Sequence, residues 1–181
     1  RNCPDFMRVR YDYCHERGVE YWHSMRMNDV HWTSPGLEER PQHSDFWYFN
    51  KERLTRAWYR RPWFAEWHWY NYALDYGQPE VYDYCLALVR EYLLDYESDG
   101  LELDWLRSVP VFRPGFDEAG TPVLTRFMRD VRALAGEAAD KWGHPVRIGV
   151  RVPTRVQEAL DLGMDVPAWA EEGLVDLVVP S

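Results

Sequence analysis

The sequence has no run of about 18 apolar residues, the length that carries a helix across a bilayer, so it shows no membrane-spanning helix. Basic charge is short: 21 Lys and Arg stand against 30 Asp and Glu, and the formal net charge of -9 is the reverse of a phosphate-neutralising surface, which argues against a nucleic-acid partner. Cysteine is scarce. Cys3, Cys14 and Cys85 are far apart and odd in number, with no CxxC, which argues against a metal knuckle or a disulfide framework and reads as three plain thiols. Neither HxH nor HExxH occurs, and no short repeat or low-complexity tract appears. No methionine or signal segment opens the chain, and it stops directly after the strand-like LVDLVVP. The expectation is therefore an internal piece of a longer protein, which leaves localisation and oligomeric state open.

What is present suits one domain of ordinary size: 181 residues, 46% hydrophobic and 28% charged. Helix and strand patterns alternate. Residues 4–17 read as a helix ended by Gly18, and 19–29 as a strand with its loop. Residues 30–72 are irregular and dense in aromatics. From Pro79 a helix carries Val81, Tyr84, Cys85, Leu88, Tyr92 and Leu93 as one apolar stripe. LELDW follows Gly100 as a strand, and Thr121-Pro122 is expected to start the next helix, closed by Gly143. VRIGVRVP is the third strand. Short helices fill 154–172, with Asp165 as a cap and Gly173 as a stop, and LVDLVVP is the fourth strand. This alternation predicts an α/β fold with a parallel sheet.

Strand parity separates two parallel architectures. Doubly wound sheets are covered on both faces and read as near-continuous apolar runs. Here Leu101 and Leu103 share one face while Glu102 and Asp104 share the other. Val146, Ile148, Val150 and Val152 likewise oppose Arg147, Gly149 and Arg151. One face suits a helical layer; the other carries charge that must be paired or wetted, as inside a (β/α)8 barrel. A full barrel takes about 250 residues, so four strands amount to a partial TIM barrel. Leu101, Leu103, Val146, Ile148 and Val150 are expected against helices, with Glu102 and Arg147 on the concave face.

The stretches YWHSMRMNDVH, YALDYGQPEVYDYCLALVREYLLDYESDGLELDW, RIGVRVP and GLVDLVVPS resemble the family-ten-like glycosyl hydrolases, in which a helix opening roughly NPxHPEVRDY and ending YDVDG precedes a strand ending in Asp. The resemblance covers nearly the whole chain apart from about 32–70. Gln78 departs from the pattern where a His is common, and 41–72 is more aromatic than usual. The resemblance implies a TIM barrel whose third to sixth strands are these four, and hydrolysis of a carbohydrate.

Asp104 ends its strand, where barrel active sites lie, and is the candidate catalytic carboxylate, as nucleophile or base. Glu102, one step deeper, is expected to balance Arg147 or Arg26, and also to face substrate. Arg26, Asn28, Asp29 and His31 cluster after the first strand. Ser24, Arg26 and Asn28 share a face if that strand stays regular, and arginine and asparagine are suited to sugar hydroxyls. Arg151 ends its own strand, and Arg107 follows Asp104; both are candidate substrate contacts. Structural arginine–carboxylate pairing is the plain alternative for all of them. Asp29, His31, Glu102 and Asp104 would together suit zinc or manganese, but with no tight ligand spacing neither a metal nor a cofactor is expected. Trp32, Trp47, Trp58, Trp63, Trp67 and Trp69 lie in the loop region, where rings either stack on sugar or form a small core; Trp105 faces the helices by parity. The leading reading is a glycoside hydrolase. A metal-dependent hydrolase or deacetylase on a barrel, or a non-catalytic carbohydrate-binding barrel, are the alternatives.

Overall fold

The computed structural model describes residues 5–29, 44–54, 72–107 and 110–181. Among the described residues six α-helices and four strands follow in the order α1 (Phe6–His15), β1 (Trp22–Arg26), α2 (Asp45–Phe49), α3 (Pro79–Asp95), β2 (Gly100–Asp104), α4 (Asp117–Trp142), β3 (Arg147–Val152), α5 (Val156–Leu160), α6 (Val166–Glu171) and β4 (Leu177–Pro180). All three strand pairings are parallel, and the sheet order is β1-β2-β3-β4. Each crossover sets the next strand beside the last, always in the same direction. A doubly wound sheet reverses direction at a switch point; a barrel wall does not.

Local chemistry explains most boundaries. Asp5 caps α1, its Oδ1 accepting from the amides of Met7 at 3.1 Å and Arg8 at 3.2 Å. Asp165 caps α6 through the amide of Ala168 at 3.1 Å, as its position in the sequence predicts. Gly143 ends α4 at φ 77°, the left-handed turn that glycine adopts without a Cβ penalty.

Two elements depart from the sequence reading. Helix α4 begins at Asp117, so Thr121-Pro122 lies within it. The added turn is favoured by Asp117 and Glu118 at the positive helix end. It also depends on Gly120, where a Cβ would fall 2.5 Å from the Phe112 ring. In α3 the buried residues are Val81, Tyr82, Cys85, Val89 and Leu93. The true stripe is thus rotated towards Tyr82 and Val89. Tyr84 instead stacks on Phe46, ring centroids 4.1 Å apart, and Leu88 and Tyr92 stay partly exposed.

The core lies between the sheet and α3 and α4. Leu101, Leu103, Ile148 and Val150 are fully buried, and Val146 nearly so, against α3 and α4 side chains such as Val89, Leu124, Phe127 and Met128. Each such side chain contributes roughly 1.5–3 kcal/mol. Trp105 is buried among Tyr76 and Phe127 in edge-to-face contacts at 5.3 and 5.9 Å, and the Tyr76 hydroxyl donates to the Met27 carbonyl at 2.6 Å. The opposite face, carrying Ser24, Arg26, Glu102, Asp104, Arg147 and Arg151, is the concave one, as parity predicts. Among the described residues no strand pairs with the outer edges of β1 and β4.

Candidate active site at the carboxyl ends of the strands

Register places the site. Arg26, Asp104 and Arg151 sit side by side on β1, β2 and β3 at the carboxyl end of the sheet. The ladder continues just past them: the Met27 amide donates to the Asp104 carbonyl and the Trp105 amide to the Arg151 carbonyl, both at 3.1 Å. The row is therefore held by backbone pairing on either side.

Asp104 is 6% exposed, and both of its oxygens are engaged. Oδ1 accepts from the amides of Leu106 and Arg107, each at 3.1 Å, closing the turn after β2. Oδ2 accepts from the Arg151 guanidinium at 3.2 Å. Arg151 also donates to the Ser181 hydroxyl at 3.0 Å. Arg26 donates to Asp29 at 2.9 Å. Arg26, Asp29, Asp104 and Arg151, with Ser24, Glu102, Tyr92 and Val179, line an open concavity of about 720 Å³.

Glu102 corrects one expectation. Neither Arg147 nor Arg26 balances it; its Oε2 accepts from the Ser24 hydroxyl at 2.6 Å. Arg147 pairs with Gly100 across the ladder, two residues below Glu102, and its guanidinium bonds Glu20 instead. That contact, with the Trp22 indole N–H, holds the Glu20 carboxyl below its usual range.

The remaining candidates divide. Asp29 lines the concavity beside Arg26. Arg107 is exposed and reaches Asp104 through its backbone amide. Asn28 does not share the face of Ser24 and Arg26, because β1 ends at Arg26. It is 3% exposed, donating to the carbonyls of Leu74 and Pro110 and accepting from the Leu74 amide. Its amide ties two loops together, leaving it little capacity for substrate. His31 lies outside the described residues, as do Trp32, Trp58, Trp63, Trp67 and Trp69. Trp47 is buried and donates to the Tyr72 carbonyl at 2.9 Å, the small-core alternative for that ring. Among the described residues no three His, Cys, Asp or Glu side chains gather as a cation site.

The sequence reading missed the floor of the face. The Trp22 ring lies against Gly100 and reaches Gly149, where added Cβ atoms would stand 2.6 and 3.1 Å from it. Glycines at offset rungs of adjacent strands were the available signal.

No family model and no curated protein matches this chain. Among solved structures, it is similar to an α-galactosidase from Thermus thermophilus in complex with stachyose. The TM-score is 0.54 at 26% identity, covering 97% of this chain and 31% of that one. The chain thus spans about a third of the length of that enzyme. The fold is glycoside-hydrolase-like, four parallel strands flanked by helices as in part of a TIM barrel; the likeness does not single out the family-ten-like proteins.

Proposed function

We propose that this protein is an O-glycoside hydrolase acting on a carbohydrate, with Asp104 as its catalytic carboxylate. The observation that carries the reading is the placement of Asp104. It stands at the carboxyl end of β2, on the concave face, between Arg26 and Arg151 at the mouth of an open concavity. The likeness to an α-galactosidase supports the reaction class and makes α-galactosides the first substrates to assay.

Two amides and one guanidinium fix the Asp104 carboxylate in place, so little reorientation is needed for it to act. Oδ2 accepts one bond where Oδ1 accepts two, so it has the greater capacity left. In a retaining reaction Oδ2 attacks the anomeric carbon. A second carboxyl group protonates the departing glycosidic oxygen, and water then releases the sugar from Asp104. In an inverting reaction Asp104 instead takes the proton from the attacking water. Arg26 and Arg151, both substantially exposed, are positioned to donate to sugar hydroxyls.

The test is turnover of p-nitrophenyl α-galactoside and stachyose by wild type and Asp104→Asn. The expected result is a loss of more than about a thousand-fold in kcat. Near-wild-type turnover in the variant would make Asp104 a structural carboxylate. If a chelator abolished turnover and zinc or manganese restored it, a metal-dependent hydrolase would replace this reading.

A further inference from the structure

Glu102 is a carboxylate in an unusual position for one without an ion pair. It lies in the middle of β2, half-buried on the concave face. Among the described residues no cation comes within salt-bridge distance of it. The three nearest by register are committed elsewhere, Arg147 to Glu20, Arg26 to Asp29 and Arg151 to Asp104. Its Oε2 is held by Ser24 at 2.6 Å, and its Oε1 has no hydrogen-bond partner among the described residues. Glu102 also lines two concavities, the one at the strand ends with Asp104 and a second of about 500 Å³ with Trp22 and Asp176. Glu102 thus keeps one oxygen on the open concavity with its full capacity to accept a hydrogen bond.

We propose that Glu102 accepts hydrogen bonds from hydroxyls of the sugar ring held at Asp104, and that Ser24 is the positioning residue that fixes its carboxylate. The inference rests on the glycosidase reading for what occupies the concavity. Two residues along a parallel strand span about 6.6 Å, comparable to one pyranose ring. A ring whose anomeric carbon meets Asp104 therefore presents its far hydroxyls at the depth of Glu102. A carboxylate accepts and does not donate, so the contact selects a neutral ring edge bearing free hydroxyls and disfavours one bearing a carboxylate, as in a uronic acid.

Calorimetric titration with stachyose, in an Asp104→Asn background that prevents cleavage, tests this without depending on turnover. Adding Glu102→Gln is expected to weaken binding at least about tenfold, the scale of one lost charge-assisted contact. Adding Ser24→Ala is expected to weaken it by about threefold or more, and Ser24→Thr to restore most of the loss. Ser24 is exposed, so its variants test the proposal even where Glu102→Gln folds poorly. Unchanged affinity in both Glu102→Gln and Ser24→Ala, with turnover still dependent on Asp104, would overturn this inference and leave the glycosidase reading standing. Glu102-dependent binding of stachyose by a protein that hydrolyses no glycoside would sink the glycosidase reading and leave Glu102 as a sugar acceptor. If stachyose does not bind at all, the proposal fails for this substrate class.

Discussion

Gly100→Ala tests the floor of the concave face. A Cβ at position 100 would stand 2.6 Å from Trp22 Cδ2 and 2.7 Å from Cε2 and Cε3, with the face of the indole against the strand. Carbon atoms settle at about 3.5–4.0 Å, so the ring must move by roughly an ångström. It has little freedom to do so. Its Nε1 donates to Glu20 at 3.0 Å, the Arg147 guanidinium lies 5.5 Å from its centroid, and β1 and β3 hold Gly100 by ladder pairing on both sides. Overpacking of this kind costs about 1–3 kcal/mol. Replacing glycine where the backbone allows alanine returns about 0.4–1 kcal/mol through the unfolded chain. The net loss is about 0–2.6 kcal/mol, or up to roughly 10 °C in Tm for a chain of this size. The assay is a double-mutant cycle by calorimetry or urea unfolding, with Trp22→Ala as the second substitution. With the ring gone, Gly100→Ala has nothing to strike and should be neutral or slightly stabilising. If Gly100→Ala costs the same in both backgrounds, the indole is not what excludes a side chain at position 100, and the account of the floor is wrong.

Asp104→Asn retains an acceptor for the Leu106 and Arg107 amides but loses its charge beside a partly exposed arginine, so it should cost only about 1–2 kcal/mol; Asp104→Ala, which opens the turn as well, should unfold at a clearly lower urea concentration. Asn28→Ala should destabilise by about 2–3 kcal/mol by stranding the Leu74 and Pro110 backbone groups, with KM on any substrate unchanged in steady-state assays; a raised KM with unchanged stability would return Asn28 to the binding site. Burial against Tyr21, Tyr92 and Tyr96 lowers the pKa of His23. The unfolded chain therefore takes up that proton first, and stability should fall as pH drops below the ordinary histidine value of about 6.5; His23→Phe should flatten the slope of Tm against pH between 7 and 5. The edges of β1 and β4, which pair with no strand among the described residues, predict self-association of the 181-residue chain, which light scattering against concentration would show; a clean monomer with a sharp, reversible melt would contradict it.

Sequence by itself determined the alternation of helix and strand and the faces of β2 and β3. Parity is a local property of extended chain, so Leu101 and Leu103 had to oppose Glu102 and Asp104 wherever the strand lay. For the same reason Arg151 and Asp104 were legible as neighbours at one end of the sheet. Tertiary structure decided the pairings. Whether Arg147 meets Glu102 or Glu20 depends on the register of β3 on β2, which sets Arg147 two residues below Glu102, opposite Gly100. The end of β1 at Arg26 turned Asn28 from the concave face into the loops around Leu74 and Pro110, which lie 46 and 82 residues away in the chain. The early start of α4 depended on Phe112 seating against Gly120, and the rotated stripe of α3 on which of its faces met the sheet and α4. Contacts between distant segments have no period along the chain, and only the closed packing of helices on the sheet selects among them.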